Sequence, residues 1–338
     1  MKKQETISTK APMRFDFAGG YTDVSPFKEM EGGNVVNMAI EKFASVSIQK
    51  RDDSIVTVNS KDMDTFEVFC LDDEITLDGP MRLIKASISY LLPNFGFDLT
   101  THVDAPVGSG LGASASLAVA LLGALRIFRE ENVDSITLAK DALYVENELL
   151  SNINGGQDQY AATLGGVNFF SFDDENVSVD QIGIDPKIIS SIEKRSLLVH
   201  SGESRISGNV LDEVMLDYRT GKASAVDGLR TLKSSSFTLT DALVSGDLQT
   251  FAELLRDVYV AQKGLHMRIE TPTIRKIFKI ANEVGLLAGK IAGAGGGGGV
   301  YLYSDEKSIE LIRGRLIKAG FLTSPFKINL SGFQHNKS

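Results

Sequence analysis

The stretch from Phe97 to Phe128 constrains this chain more than any other. Phe97, Leu99, Thr101 and Val103 alternate as in a half-buried strand, and from Leu117 to Phe128 apolar residues spread round most of a helix. Between them lies Pro106-Val107-Gly108-Ser109-Gly110-Leu111-Gly112-Ala113-Ser114-Ala115-Ser116. A strand that passes through glycines directly into a buried helix leaves backbone N–H groups unpaired at the positive end of a helix dipole, and the missing Cβ atoms let phosphate oxygens approach. The segment reads as an anion cradle, with a tight strand-to-helix turn as the alternative. The pattern G-x-x-x-x-G-K-[ST] is absent, and G-x-G-x-G has the wrong spacing for a dinucleotide fingerprint.

Around this junction the organisation is mixed. Met13, Phe15 and Phe17 alternate with Arg14 and Asp16, which predicts a strand with one buried face. Further strands are expected at Phe43 to Ile48, Ile55 to Val58 and Phe66 to Phe69, a helix over Leu83 to Leu91 closed by Pro93, and a second helix from Ile136 to Leu150. After Gly165-Gly166 comes a strand, Val167 to Phe170, and then an acidic loop, Phe172 to Asp185, which is the expected domain border. The second half reads as a strand at Leu197 to His200, several helices between Asn209 and Val284, two strands flanking a glycine run, a helix near Ile309 to Ala319 and a last strand, Phe326 to Leu330. The fold class is α+β, and 338 residues divide naturally into two domains, 1–190 and 191–338.

Composition narrows the function. A net charge of -9 disfavours nucleic acid and anionic membranes as partners. Cys70 is the only cysteine, so no intrachain disulfide or cysteine-based metal site can form, which suits a reducing cytoplasm. The N-terminus lacks the apolar stretch of a signal peptide, and no apolar run is long enough to cross a bilayer. The four histidines show no metal-ligand spacing. A homodimer is compatible with the sequence, which does not fix the oligomeric state.

Two other segments carry chemistry. The run Gly293-Ala294-Gly295-Gly296-Gly297-Gly298-Gly299 follows Lys290-Ile291 and precedes the strand Val300 to Tyr303. So many glycines cost chain entropy to order, so either the backbone is needed there or the run is a hinge. Glu146 and, after it, Gly155-Gly156-Gln157-Asp158-Gln159-Tyr160 supply carboxylates. Alone each is a surface charge. Beside an anion cradle they match what phosphoryl transfer requires, namely a carboxylate for Mg²⁺ and a group that orients or deprotonates an acceptor hydroxyl.

Three segments, Ala11-Pro12-Met13-Arg14 to Asp23, Pro106 to Ala115, and Gly293 to Gly299, resemble in order and separation the three motifs of the GHMP kinases. The resemblance covers essentially the whole chain. The segments Arg14 to Asp23 and Gly155 to Tyr160 are most similar to the D-glycero-D-manno-heptose 7-phosphate kinase branch and to its neighbour, fucokinase. It implies an N-terminal ribosomal-protein-like α/β domain, a C-terminal ferredoxin-like domain, and transfer of the γ-phosphoryl of ATP to a sugar hydroxyl, with the anomeric hydroxyl of heptose 7-phosphate the leading acceptor. Fucose or another hexose is the alternative, and a non-catalytic sugar and nucleotide sensor is the rival of another class. By the same resemblance ATP lies on Pro106, Gly108, Ser109, Gly110, Leu111, Gly112, Ala113, Ser114 and Ala115, Ser114 and Glu146 serve Mg²⁺, Asp158 is the catalytic aspartate, and Arg14 is its basic neighbour. The sugar falls to Asp23, Gly20, Tyr21, Gly156, Arg205, Gly295 and Gly296. Galactokinases carry an acidic residue and a histidine where this chain has Gly20 and Tyr21, which argues against galactose. Arg205, Lys263, Arg268 and Lys290 are the cations available for a phosphate on the acceptor. Glu148, two residues from Glu146 on a helix, faces elsewhere.

Overall fold

The structure, a computed structural model, describes residues 6–153, 155–173, 176–203 and 210–337. The chain opens with β1 (Thr6–Ala18), α1 (Phe27–Glu31), β2 (Gly33–Lys50), β3 (Ile55–Ser60), β4 (Thr65–Cys70), α2 (Arg82–Leu91) and β5 (Phe97–Val103). It continues with α3 (Ala113–Phe128), α4 (Ser135–Tyr144), a π-helical turn at Val145–Leu149, α5 (Gln157–Leu164), β6 (Val167–Asp173) and β7 (Asn176–Gln181). The long strand β2 organises this half. It pairs with β1 on one edge, and on the other with β6 through Gly33–Met38 and with β5 through Ala44–Lys50. Among the described residues only the β3–β5 pair is parallel. α3 lies on this sheet, fastened by Thr9 Oγ1 to Ala120 O at 2.7 Å and by Ser116 Oγ to Pro12 O at 2.8 Å.

The second half comprises α6 (Pro186–Lys194), β8 (Ser196–His200), α7 (Val210–Arg219), α8 (Ala223–Ser245), α9 (Leu248–Leu265), α10 (Pro272–Asn282), β9 (Ala288–Ile291), β10 (Gly299–Tyr303), α11 (Glu306–Lys318), β11 (Leu322–Pro325) and β12 (Gln334–Lys337). Its sheet is antiparallel in the order β11-β8-β10-β9. β12 leaves it and pairs with β1, so residues beyond 191 contribute to both sheets. Among the described residues no helix is long and apolar enough to cross a membrane.

Several expectations change. Arg14 and Asp16 do not sit on an exposed face: they are 7% and 2% exposed, because a cleft closes over them while Met13, Phe15 and Phe17 fill the core on the other side. The acidic segment expected to be a loop contains β7, paired with β6 along Asn168–Asp173. Residue 190 lies inside α6. The helix expected to reach Leu150 changes at Val145 to π geometry, and α5 has no counterpart among the sequence-based expectations. The strand expected at Phe326 to Leu330 is instead β11, just before it. Phe326 turns into the core, and only Ile328 bridges to Ile40.

Candidate active site

The segment between β5 and α3 has the backbone of an anion nest. Gly108, Gly110 and Gly112 take left-handed φ values of 78°, 78° and 75°, while Ser109 and Leu111 between them do not. Such alternation turns successive N–H groups toward one concavity. α3 follows with Gly112 at its N-cap and no side chain capping it, so its first N–H groups remain for a ligand. The glycine run props this loop from behind. Gly299 N donates to Ser109 O at 2.8 Å, and a Cβ on Gly298 would stand 2.6 Å from Gly108 O.

Arg14 on β1 ties the loop to the acid on α5. Its Nε and Nη2 donate to Asp158 Oδ1 and Oδ2, both at 2.6 Å, and its Nη1 donates to Gly110 O at 2.7 Å. Burial opposes the guanidinium charge, yet Asp158, Asp16 and Asp23 together push its pKa above the ordinary value. On the other side of Asp158 opens a cleft of about 100 Å³, reached by Asp23, Tyr21, Gly20, Gly155 and Ala294. Asp23 is buried and accepts from Gln157 Nε2 at 3.2 Å. Desolvation first, and the neighbouring Asp158 charge second, push its pKa up to about 7. Only glycine fits at 155, where a Cβ would lie 2.0 Å from Asp23 Oδ2. Tyr21 holds a left-handed φ of 76°, a strained value for a tyrosine, and donates its hydroxyl to Ala294 O at 2.7 Å, closing the cleft against the glycine-run loop.

The π turn presents Glu146 inward at 2% exposure, whereas Glu148 is exposed. Glu146 Oε1 accepts from Ser114 Oγ and Oε2 from Gln159 Nε2, both at 2.5 Å. Burial chiefly, with Asp158 adding, pushes its pKa up to about 7, and no cation figures among the causes. A buried carboxylate with no counter-charge, joined to a hydroxyl at the start of α3, suits a hard divalent cation that takes its other oxygens from phosphates. The pair therefore fits Mg²⁺, although no cluster of three acidic, histidine or cysteine ligands exists among the described residues.

Three consecutive residues of α5 thus serve three parts of the site. Gln157 holds Asp23, Asp158 meets Arg14, and Gln159 holds Glu146. The two glutamines escaped the sequence reading, although polar side chains flanking Asp158 on both sides were the available signal. Other expected residues lie elsewhere. Lys290, taken as a spare cation, is buried against Asp16 Oδ2 at 2.7 Å. Arg268 pairs with Glu213 at 2.6 Å on the surface, and exposed Lys263 stands over Tyr259. Gly295 and Gly296 pack against Ile269 and Val210, and it is Gly293 and Ala294 that line the cleft. Gly156 backs onto Leu143, leaving the lining to Gly155. Arg205 lies outside the described residues.

The raised pKa of Glu146 gives a signed prediction. The folded value lies above the unfolded 4.5, so the stability that goes with the protonated form is complete below pH 4.5 and is lost as pH rises through about 7. Glu146→Gln should therefore make the nucleotide-free protein more stable at pH 8, by up to about 3 kcal/mol, and make no difference near pH 4. In the same variant the Mg²⁺ concentration for half-maximal rate should rise. Urea melts at the two pH values and an Mg²⁺ titration measure this, and an unmoved titration curve removes Glu146 from the metal site.

Known proteins resemble this chain along most of its length. Residues 82–166 match the GHMP kinases N terminal domain and residues 239–321 the GHMP kinases C terminal domain. The chain is 28% identical over 325 residues to the D-glycero-alpha-D-manno-heptose 7-phosphate kinase of Campylobacter jejuni, covering 94% of this chain and 95% of that one. It is 27% identical over 327 residues to the L-fucokinase/L-fucose-1-P guanylyltransferase of Bacteroides fragilis, covering 88% of this chain and 34% of that longer one. The crystal structure of a D-glycero-D-manno-heptose 1-phosphate kinase from Bacteroides thetaiotaomicron is similar with a TM-score of 0.81 at 25% identity, covering 98% of both chains.

Proposed function

Since the chain belongs to the GHMP kinases, we propose that it transfers the γ-phosphoryl group of ATP to a hydroxyl of a small sugar, the preferred acceptor being the anomeric hydroxyl of D-glycero-D-manno-heptose 7-phosphate. One observation carries the reading. Arg14 binds Asp158 through two nitrogens while a third bonds the phosphate loop, which sets the acid between that loop and the cleft lined by Asp23. Asp158 takes or orients the proton of the acceptor hydroxyl, whose oxygen forms the new bond to phosphorus as the bond to ADP breaks. Arg14 holds that carboxylate in place and offsets charge on the transferring oxygens. Asp23 accepts hydrogen bonds from the sugar once it is ionised, so the rate should fall as pH drops below about 7. Mg²⁺, when bound, neutralises phosphate charge, and Ser114 and Glu146 are the residues that would hold it.

The names of the related kinases point to a heptose phosphate. A free hexose is the second reading, favoured because Arg14 is the one cation lining the cleft among the described residues. The test compares heptose 7-phosphate, heptose 1-phosphate, free heptose, fucose and galactose by ADP formation. Heptose 7-phosphate should exceed free heptose by about 10²-fold in kcat/KM, since a cation left without its anion costs binding energy. Arg205→Gln should reduce that advantage and leave the free sugar's rate alone. Equal or better efficiency with fucose or another free hexose overturns the heptose phosphate assignment and leaves the sugar kinase standing.

A further inference from the structure

Behind the phosphate loop, on the side of β8 and β11, lies a second cavity of about 280 Å³, separate from the cleft lined by Asp23 and Asp158 and walled in part by Pro106, Ser109 and Leu111 of the loop itself. Its walls are largely apolar, with Leu111 of the loop and Leu198 of β8 among them. Three hydrogen-bond donors line it without partners among the described residues. Ser109 is 2% exposed, and its Oγ has no hydrogen-bond partner among the described residues. His200 accepts from Gly202 N at Nδ1 (3.0 Å), which leaves the proton of the neutral ring on Nε2, and that atom is buried and has no partner among the described residues. Burial lowers the His200 pKa and so favours this neutral form. The half-buried Lys42 ammonium also has no partner among the described residues. The one carboxylate present, Asp104, is already engaged by Phe43 N at 2.9 Å and His102 Nε2 at 3.4 Å. The Lys42 ammonium and the Asp104 carboxylate offset one another in charge, and the groups left without a partner among the described residues are all able to donate a hydrogen bond.

We propose that this cavity is an effector site for a small carboxylate with an apolar body, its head taken by Lys42, Ser109 Oγ–H and His200 Nε2–H. Unpaired buried donors are costly, and a ligand that satisfies them is held by charge-assisted bonds in an apolar enclosure. The site goes beyond the kinase reading, and only its coupling to nucleotide rests on the assignment of the phosphate loop. Ser109 belongs to that loop, and its carbonyl is held by Gly299 N, a residue of the same cavity wall. A ligand that bonds Ser109 in this conformation favours the loop geometry that receives phosphates, so effector and nucleotide should strengthen each other's binding about fivefold.

The probe is 4-fluorobenzoate, followed by fluorine NMR on the intact protein, with 4-fluorotoluene as its neutral counterpart. The carboxylate should bind in the millimolar range and the neutral probe about tenfold more weakly. Lys42→Gln should remove that difference. Ser324→Trp, on the edge strand at the cavity wall, should abolish binding of both; if that variant does not fold, Lys42→Gln decides. ADP affinity, read by calorimetry with and without saturating probe, should rise about fivefold. Failure of 4-fluorobenzoate to bind, binding unchanged in both variants, or displacement of the probe by Mg·ADP or by sugar would overturn the site. Binding that leaves ADP affinity unmoved overturns the effector role. None of these readouts depends on turnover, so a failed acceptor assignment remains distinguishable.

Discussion

Asp158→Asn should lower kcat by about 10²-fold or more while the affinity for ATP stays near that of the parent. The substitution keeps the size of the side chain and one acceptor oxygen. It removes the charge that accepts the hydroxyl proton, and it turns one of the two oxygens facing Arg14, at 2.6 Å, into an amide that repels it. The phosphate loop keeps its own supports, since Arg14 still bonds Gly110 O and Gly299 N still bonds Ser109 O. That separation is what the experiment checks. Single-turnover rates should collapse while nucleotide titrations move little, and an asparagine variant with unchanged kcat would remove Asp158 from the chemistry.

The largest effect on stability is expected at Lys290. Its ammonium and the Asp16 carboxylate form an ion pair at 1% and 2% residue exposure, joining β9 to β1, and the second Asp16 oxygen accepts from Gly293 N at 3.3 Å. Lys290→Met leaves a charged carboxylate buried beside the cleft without its partner, which should cost about 3–5 kcal/mol in urea unfolding. Burial pushes the Lys290 pKa down, with Asp16 opposing, so the pair offsets much of the cost of burying the ammonium. Asp16→Asn combined with Lys290→Met should recover part of the loss by removing the stranded charge. A single variant as stable as the parent would show that the pair does not hold the two sheets together.

How much of this was legible in the sequence depended on where the signal for each residue resided. β3, β5 and α3 show their period in the apolar positions, because each has a face or a full circumference in the core, whereas the alternating Phe66 and Val68 of β4 are exposed. The first part of β2, Gly33 to Ile40, is buried on both faces and so has no alternation to read. β7 fails for the opposite reason, since most of its residues face solvent. α5 begins with Gln157, Asp158 and Gln159, whose polarity belongs to the site they assemble, so it reads as a loop. Arg14, Asp158, Ser114 and Glu146 stood in motifs, and the structure brings them together. Lys290 looked like a solvated charge because its partner lies 274 positions away, a separation no local pattern reports.

The rings of Phe15 and Phe17 on β1, Tyr301 on β10, Phe251 on α9 and Phe326 pack edge-on or tilted against one another between the two sheets, with centroids 5.0 to 6.5 Å apart. Rings packed at this spacing belong equally to both halves, and the return of β12 to β1 laces them a second time. Parting the sheets like the jaws of a hinge would wet all five rings at once. Such a motion is too costly to recur at every turnover, so sugar must enter and ADP must leave through movement of the segments around Tyr21, Ser109 and Ala294, with the two sheets travelling as one body.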